Sequence, residues 1–154
     1  MKRAVILLSI LTISMHIAFA QQAQEMLRPD LGERVGTCDA CGMDVFDKML
    51  TKVEITVDND TFYACGMGCA FAMTEGKQIA SMKVVDFTTV TIIETADAYY
   101  VTGSLLTPVR AMMPVFVFGT DDEAEAFVQK YGGIVHDYGR LEQLANRIRE
   151  ERRR

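Results

Sequence analysis

The sequence predicts an α+β fold of two small halves, each running strand, strand, helix, strand, after a cleaved signal peptide and ahead of a C-terminal helix. Three observations carry this reading. Apolar residues alternate singly in short runs and then switch to helical spacing, once in each half of the chain. Turn and cap residues fall at those switches. All four cysteines of the 154-residue chain lie between residues 38 and 69, at the head of the first half.

The first element is a targeting segment. Lys2 and Arg3 form a basic start, Ala4 to Ile17 is almost wholly apolar, and Ala18-Phe19-Ala20 is a small-x-small cleavage site. Residues 1–20 are therefore expected to leave, with the mature chain beginning at Gln21 and residing in the periplasm. The apolar run is shorter than the ~20 residues of a membrane span, and no later stretch is long enough, so the mature chain should have no transmembrane segment. No cysteine follows the apolar run, so no lipid anchor is expected. Cleavage removes Lys2 and Arg3 but no acid, which takes the formal charge from −5 to −7. That balance argues against a nucleic-acid partner, which needs a basic face, and none is expected. His16 leaves as well, and with His136 alone remaining a histidine-rich metal site is excluded.

Residues 21–37 are polar, hold Pro29, Gly32 and Gly36, and read as a tether. The metal-binding domain is expected over residues 38–140. Leu50 to Val57 alternates apolar and polar residues like a half-buried strand. Asp58-Asn59-Asp60 turns the chain, and Thr61 to Ala64 returns, delivering Cys65 at the end of a hairpin. Met67 to Thr74 fits a short helix closed by Gly76, on which Cys65 and Cys69 share a face if the helix begins at or near Cys65. Ser81 to Phe87 and Val90 to Glu94 read as further strands.

The second half repeats the plan. Ala98 to Thr102 and Pro114 to Phe118 are strands on either side of a loop, residues 103–113. Thr120-Asp121-Asp122-Glu123 is a capping box whose acids suit the positive end of a helix. Ala124, Phe127, Val128 and Tyr131 give that helix its apolar stripe, and Gly132-Gly133 stop it. Ile134 to His136 is a short strand. Residues 141–154 form a charged helix with Leu141, Leu144 and Ile148 on one face and a basic, solvated end.

The chemistry sits in a Cys-x2-Cys pair, Cys38 and Cys41, and a Cys-x3-Cys pair, Cys65 and Cys69, separated by 23 residues. Two close thiol pairs on a short hairpin can converge on one soft ion. Four cysteines in an exported domain can equally form two disulfides. Cys38–Cys41 could also act as a thiol–disulfide redox pair. Such pairs usually sit where a strand enters a helix, whereas Gly36-Thr37 and Gly42-Met43-Asp44 frame this one as a turn. A zinc site would be complete with four thiolates. Met43, Met67 and Met73 around the cluster, and Met112 and Met113 in the second-half loop, shift the odds toward Cu(I). Each methionine taken singly is core filling, although Met112 and Met113 stand beside Pro114, where a core plug is less expected. His136 reads as a strand-edge residue rather than a ligand.

Cys38 to Met43, the hairpin and short helix, Tyr100 to Ser104, Ala111 to Pro114 and Phe118 to Gly133 together make an ordered set. That set resembles the NosL family, the copper accessory proteins of nitrous-oxide reductase. The resemblance implies two related halves in a non-enzymatic exported protein that binds Cu(I) and passes it to the reductase. It also implies ligands from Cys38 or Cys41 and from Met112 or Met113. The chain departs from the family in three places. It lacks a lipid-accepting cysteine, and it has Ala111-Met112-Met113-Pro114 where the family usually has Pro-Met-Gly. It also carries Cys65 and Cys69 where acidic residues are commoner; with Tyr63 and Phe71 nearby, that pair is similar to the TRASH and YHS heavy-metal modules.

The expected site is thus Cys38, Cys41, Cys65, Cys69, Met112 and Met113, holding Cu(I), or alternatively Zn(II), in a metallochaperone for a periplasmic metalloenzyme such as nitrous-oxide reductase. The alternatives are a zinc- or disulfide-stapled interaction module, a heavy-metal carrier, and a thiol–disulfide oxidoreductase.

Overall fold

The computed structural model describes residues 31–108 and 113–154. The signal segment, the first part of the tether, and Met112 lie outside the described residues.

The two halves share one topology. In the first, β3 (Val53–Val57) is the central strand, with β4 (Asp60–Ala64) on one side and β5 (Ser81–Val85) on the other, both antiparallel. Helix α1 (Met67–Thr74) connects β4 to β5, and β6 (Ile92–Glu94) extends the sheet beyond β5. In the second, β7 (Tyr99–Thr102) lies between β8 (Val115–Phe118) and β9 (Ile134–His136), with α2 (Asp121–Tyr131) connecting the last two. The pseudo-repeat expected from the sequence is therefore present as strand order, with an added β6 in the first half.

Period-two alternation sorts the second sheet between two cores. Tyr100, Val115 and Val117 face the larger core, with Val53, Ile55, Val84, Cys38, Cys65 and Cys69. Val101, Phe116 and Phe118 face the smaller one, beneath Ala124 and Phe127 of α2. Phe87, from the loop after β5, reaches into the smaller core edge-on to Phe116, Phe118 and Phe127. Its N–H donates to the Val117 carbonyl at 2.7 Å, tying the halves together.

The cap of α2 forms as its sequence requires: Thr120 Oγ1 accepts from the Glu123 N–H and donates to the Glu123 carboxylate at 2.9 Å. Gly132, at φ +69°, ends the helix with its N–H on the Val128 carbonyl. The C-terminal helix α3 (Tyr138–Arg153) starts three residues earlier than expected, because the Asp137 side chain caps it by accepting from the Arg140 N–H at 2.8 Å. Leu141 and Ala145 bury into the larger core.

One expectation is corrected. Arg34–Thr37, placed in the tether by composition, is strand β1, paired antiparallel with β2 (Asp44–Phe46). These strands are too short and polar to show alternation, and their pairing is imposed by the cysteine turn between them. Arg34 Nε to Asp44 Oδ1 at 2.7 Å runs diagonally across the ribbon.

Candidate metal centre

The turn joining β1 to β2 holds the first cysteine pair. The Cys38 N–H donates to the Met43 carbonyl at 2.7 Å, while the Cys38 carbonyl accepts from the Gly42 N–H at 2.7 Å and the Cys41 N–H at 3.3 Å. Gly42 closes the turn at φ +72°, a backbone angle that a side chain would strain. The Asp39 N–H donates to the Tyr63 carbonyl at 3.4 Å and so fixes the turn against β4. Gly36 lets β1 lie under the Tyr63 ring, since a Cβ there would stand 3.3 Å from it.

Strand β4 ends at Ala64 and leads directly into Cys65, and α1 carries Cys69. The helix begins at Met67, after an extended Gly66 whose carbonyl accepts from the Cys69 and Ala70 N–H groups. Although Cys65 precedes the helix, its Sγ still lies 3.6 Å from that of Cys69. Cys41 Sγ lies 3.5 Å from Cys65 Sγ. All four sulfurs fall within 4.8 Å of one another, and all four are free thiols. The sequence expectation that two distant pairs converge is met in geometry. Nor does the first pair sit at a helix N-terminus, where redox pairs of this type usually lie.

Burial divides the four. Cys38, Cys65 and Cys69 are 1%, 6% and 5% exposed, whereas Cys41 is exposed. Burial acts to raise the Cys38 thiol, but hydrogen bonds from the backbone of Cys65, Ala40 and Cys41, with one from the Cys41 side chain, outweigh it and bring the thiol down to about 7. Burial, with hydrogen bonds to Cys41 and Cys69 and the charges of Cys69 and Cys38, pushes the Cys65 thiol well above its ordinary range. Cys69 goes up to about 12, chiefly through burial and then the charge of Cys38. The first thiolate thus resists the next. A cation entering the cluster relieves that repulsion and displaces the remaining protons.

Met113 is half-buried and packs on the same core that holds Cys38, Cys65 and Cys69. Met67 is buried in that core, and Met43 and Met73 pack against it, consistent with core filling. His136 stands at the sheet edge, its Nε2 2.9 Å from Thr102 Oγ1. A groove walled by Ile55, Phe62 and Met73 opens beside the cysteine turn at Asp39 and Ala40, with Glu75 on its rim.

Sequence reasoning missed the residues that hold the cysteine-bearing elements. Arg149 of α3 donates to the Phe71 carbonyl at 3.0 Å and pairs with Glu75 at 3.4 Å, and Arg153 pairs with Glu75 as well. The end of α1 is thus fastened from 78 residues away. A tail rich in arginine gave no local sign of this.

The NosL family model matches residues 33–145. Among solved structures, the chain is similar to the copper chaperone NosL from Shewanella denitrificans, at TM-score 0.59 and 20% identity, covering 73% of this chain and 93% of that one. No curated protein matches the chain.

Proposed function

The chain belongs to the NosL family, and from that premise we propose that it is an exported Cu(I) carrier. It takes the ion at Cys38, Cys41, Cys65 and Cys69 with a thioether from Met113 or Met112, and hands it to a periplasmic metalloenzyme. Nitrous-oxide reductase is the client that family membership suggests. The observation that carries the reading is the convergence of four thiols within 4.8 Å on a fold shared with a protein described as a copper chaperone. Thiolate and thioether sulfur favour soft ions such as Cu(I) over hard ones. The similar solved structure is described as a copper chaperone, and transport rather than catalysis is the reading that the family supports.

Charge makes a complex of Cu(I) with all four thiolates labile. Four thiolates around a monovalent ion would leave three negative charges in a site whose sulfurs are mostly buried, a costly arrangement. Two or three thiolates with a neutral thioether leave fewer. Zinc is the second reading, favoured by four convergent sulfurs. The deciding experiment loads the reduced protein with Cu(I) or Zn(II) and measures competition and X-ray absorption on wild type and on Cys38→Ser/Cys41→Ser. Tighter Cu(I) binding, lost in the double variant, is expected. Full Cu(I) affinity in that variant, or a zinc complex that Cu(I) cannot displace, would overturn the assignment.

A further inference from the structure

We propose that Cys41 is the exchange ligand of the cluster: the position through which an incoming donor group from the acceptor reaches the ion, while Cys38, Cys65 and Cys69 hold it. This rests on the carrier reading above and adds a division of labour among the four thiols.

Two independent observations carry it. Cys41 alone among the four is exposed, and the other three are at most 6% exposed, so an external ligand meets the cluster at Cys41. Their backbones differ too. Cys38 is enclosed by the β1–β2 ribbon through its N–H on Met43 and its carbonyl on Gly42. Cys65 directly follows a five-residue strand paired with β3, and Cys69 lies in α1, whose far end is fastened by Arg149. Cys41, whose N–H reaches the Cys38 carbonyl only at 3.3 Å, sits at the outer edge of the turn beside Gly42, where an added Cβ would meet no heavy atom within 4 Å.

The exchange balances without electron transfer. A thiol of the acceptor forms its bond to Cu(I) as its proton leaves. The Cu–Sγ bond of Cys41 then breaks, and Cys41 takes up a proton. Copper stays monovalent throughout, and the three buried sulfurs release it only once the acceptor has supplied further ligands.

Wild-type protein loaded with one Cu(I) is treated with iodoacetamide, and each cysteine is followed by peptide mass spectrometry. Cys41 is expected to react at least about tenfold faster than the other three. Equal rates, or an earlier reaction at Cys38, Cys65 or Cys69, would overturn the assignment. In parallel, Cu(I) affinities of Cys41→Ser and Cys69→Ser are measured with and without 2-mercaptoethanol. The small thiol should restore at least about tenfold in affinity to Cys41→Ser, because it can occupy the open position, and nothing to Cys69→Ser. Rescue of both, of Cys69→Ser alone, or of neither refutes the proposal. Should Cys69→Ser fail to fold, the labelling of wild type still decides. Failure of wild type to bind Cu(I) at all would instead refute the carrier reading.

Discussion

The pH dependence of Cu(I) affinity counts the buried thiolates that bind. Cys65 and Cys69 hold their protons far above neutrality, whereas Cys38 titrates at about 7. A metal ion must displace whichever protons its ligands still carry, so affinity rises with pH by one decade per unit for each proton released, about 1.4 kcal/mol. Between about pH 7.5 and about pH 9, Cys38 is already ionised and contributes little to the slope. If Cys65 and Cys69 both ligate, they contribute two protons, about a hundredfold per unit, or roughly 2.7 kcal/mol, beside whatever Cys41 releases. Below about pH 7 the slope steepens as Cys38 begins to give up its own proton. A thioether adds nothing at any pH. Competition against a chelator whose own protonation is known, repeated across this range, reads the slope directly. Cys69→Ser should lower it by one. An affinity flat from about pH 7.5 to about pH 9, or a slope unchanged in Cys69→Ser, would refute ligation by the buried pair.

Met113→Ala and Met112→Ala should lower Cu(I) affinity less than loss of the first cysteine pair, with one methionine dominating and the protein still folded; titration and X-ray absorption check it, and an unchanged double variant would confine the site to the first half. Gly133→Ala should destabilise by about 2–4 kcal/mol in urea unfolding, because φ is +115° and the new Cβ would stand 2.8 Å from the Thr102 carbonyl oxygen and from Val101 Cγ1. Arg149→Ala should cost about 1 kcal/mol through the lost bond to the Phe71 carbonyl, and hydrogen exchange should rise selectively in α1. The reduced, metal-free protein should show a cooperative thermal melt, since two cores close without any disulfide; loss of that melt on adding reductant would favour the stapled alternative.

Much of the architecture was legible because its signals are local. Thr120 to Glu123 declared a helix start, Gly132 its stop, and the alternation in residues 50–57 a strand, and each forms close to where the residues place it. The cysteine spacing announced a cluster because a hairpin brings the ends of a short segment together. What was hidden depends on distant partners. Residues 34–37 lack any pattern of their own and become β1 only by pairing across the cysteine turn. Asp137 began α3 earlier than its apolar face suggested. Arg149 reads as a solvated charge until α1 is seen beneath it. The separation of one exposed thiol from three buried ones likewise requires the packed core, since nothing in the spacing of Cys38 and Cys41 distinguishes them.

The closeness of the four cysteines along the chain has a kinetic consequence. Cys41 and Cys65 are 24 residues apart and Cys65 and Cys69 only four, so bringing them together closes a short loop at modest entropic cost. Tyr100, Val117 and Leu141, which complete the core around them, come later in the sequence and require longer-range closure, the slower kind of event. In a chain that emerges from its N-terminal end, the thiols can meet before the wall that will enclose them exists. During that interval all four are open to metal ions and to oxidants alike, and whichever arrives first sets the state in which the second half folds over them.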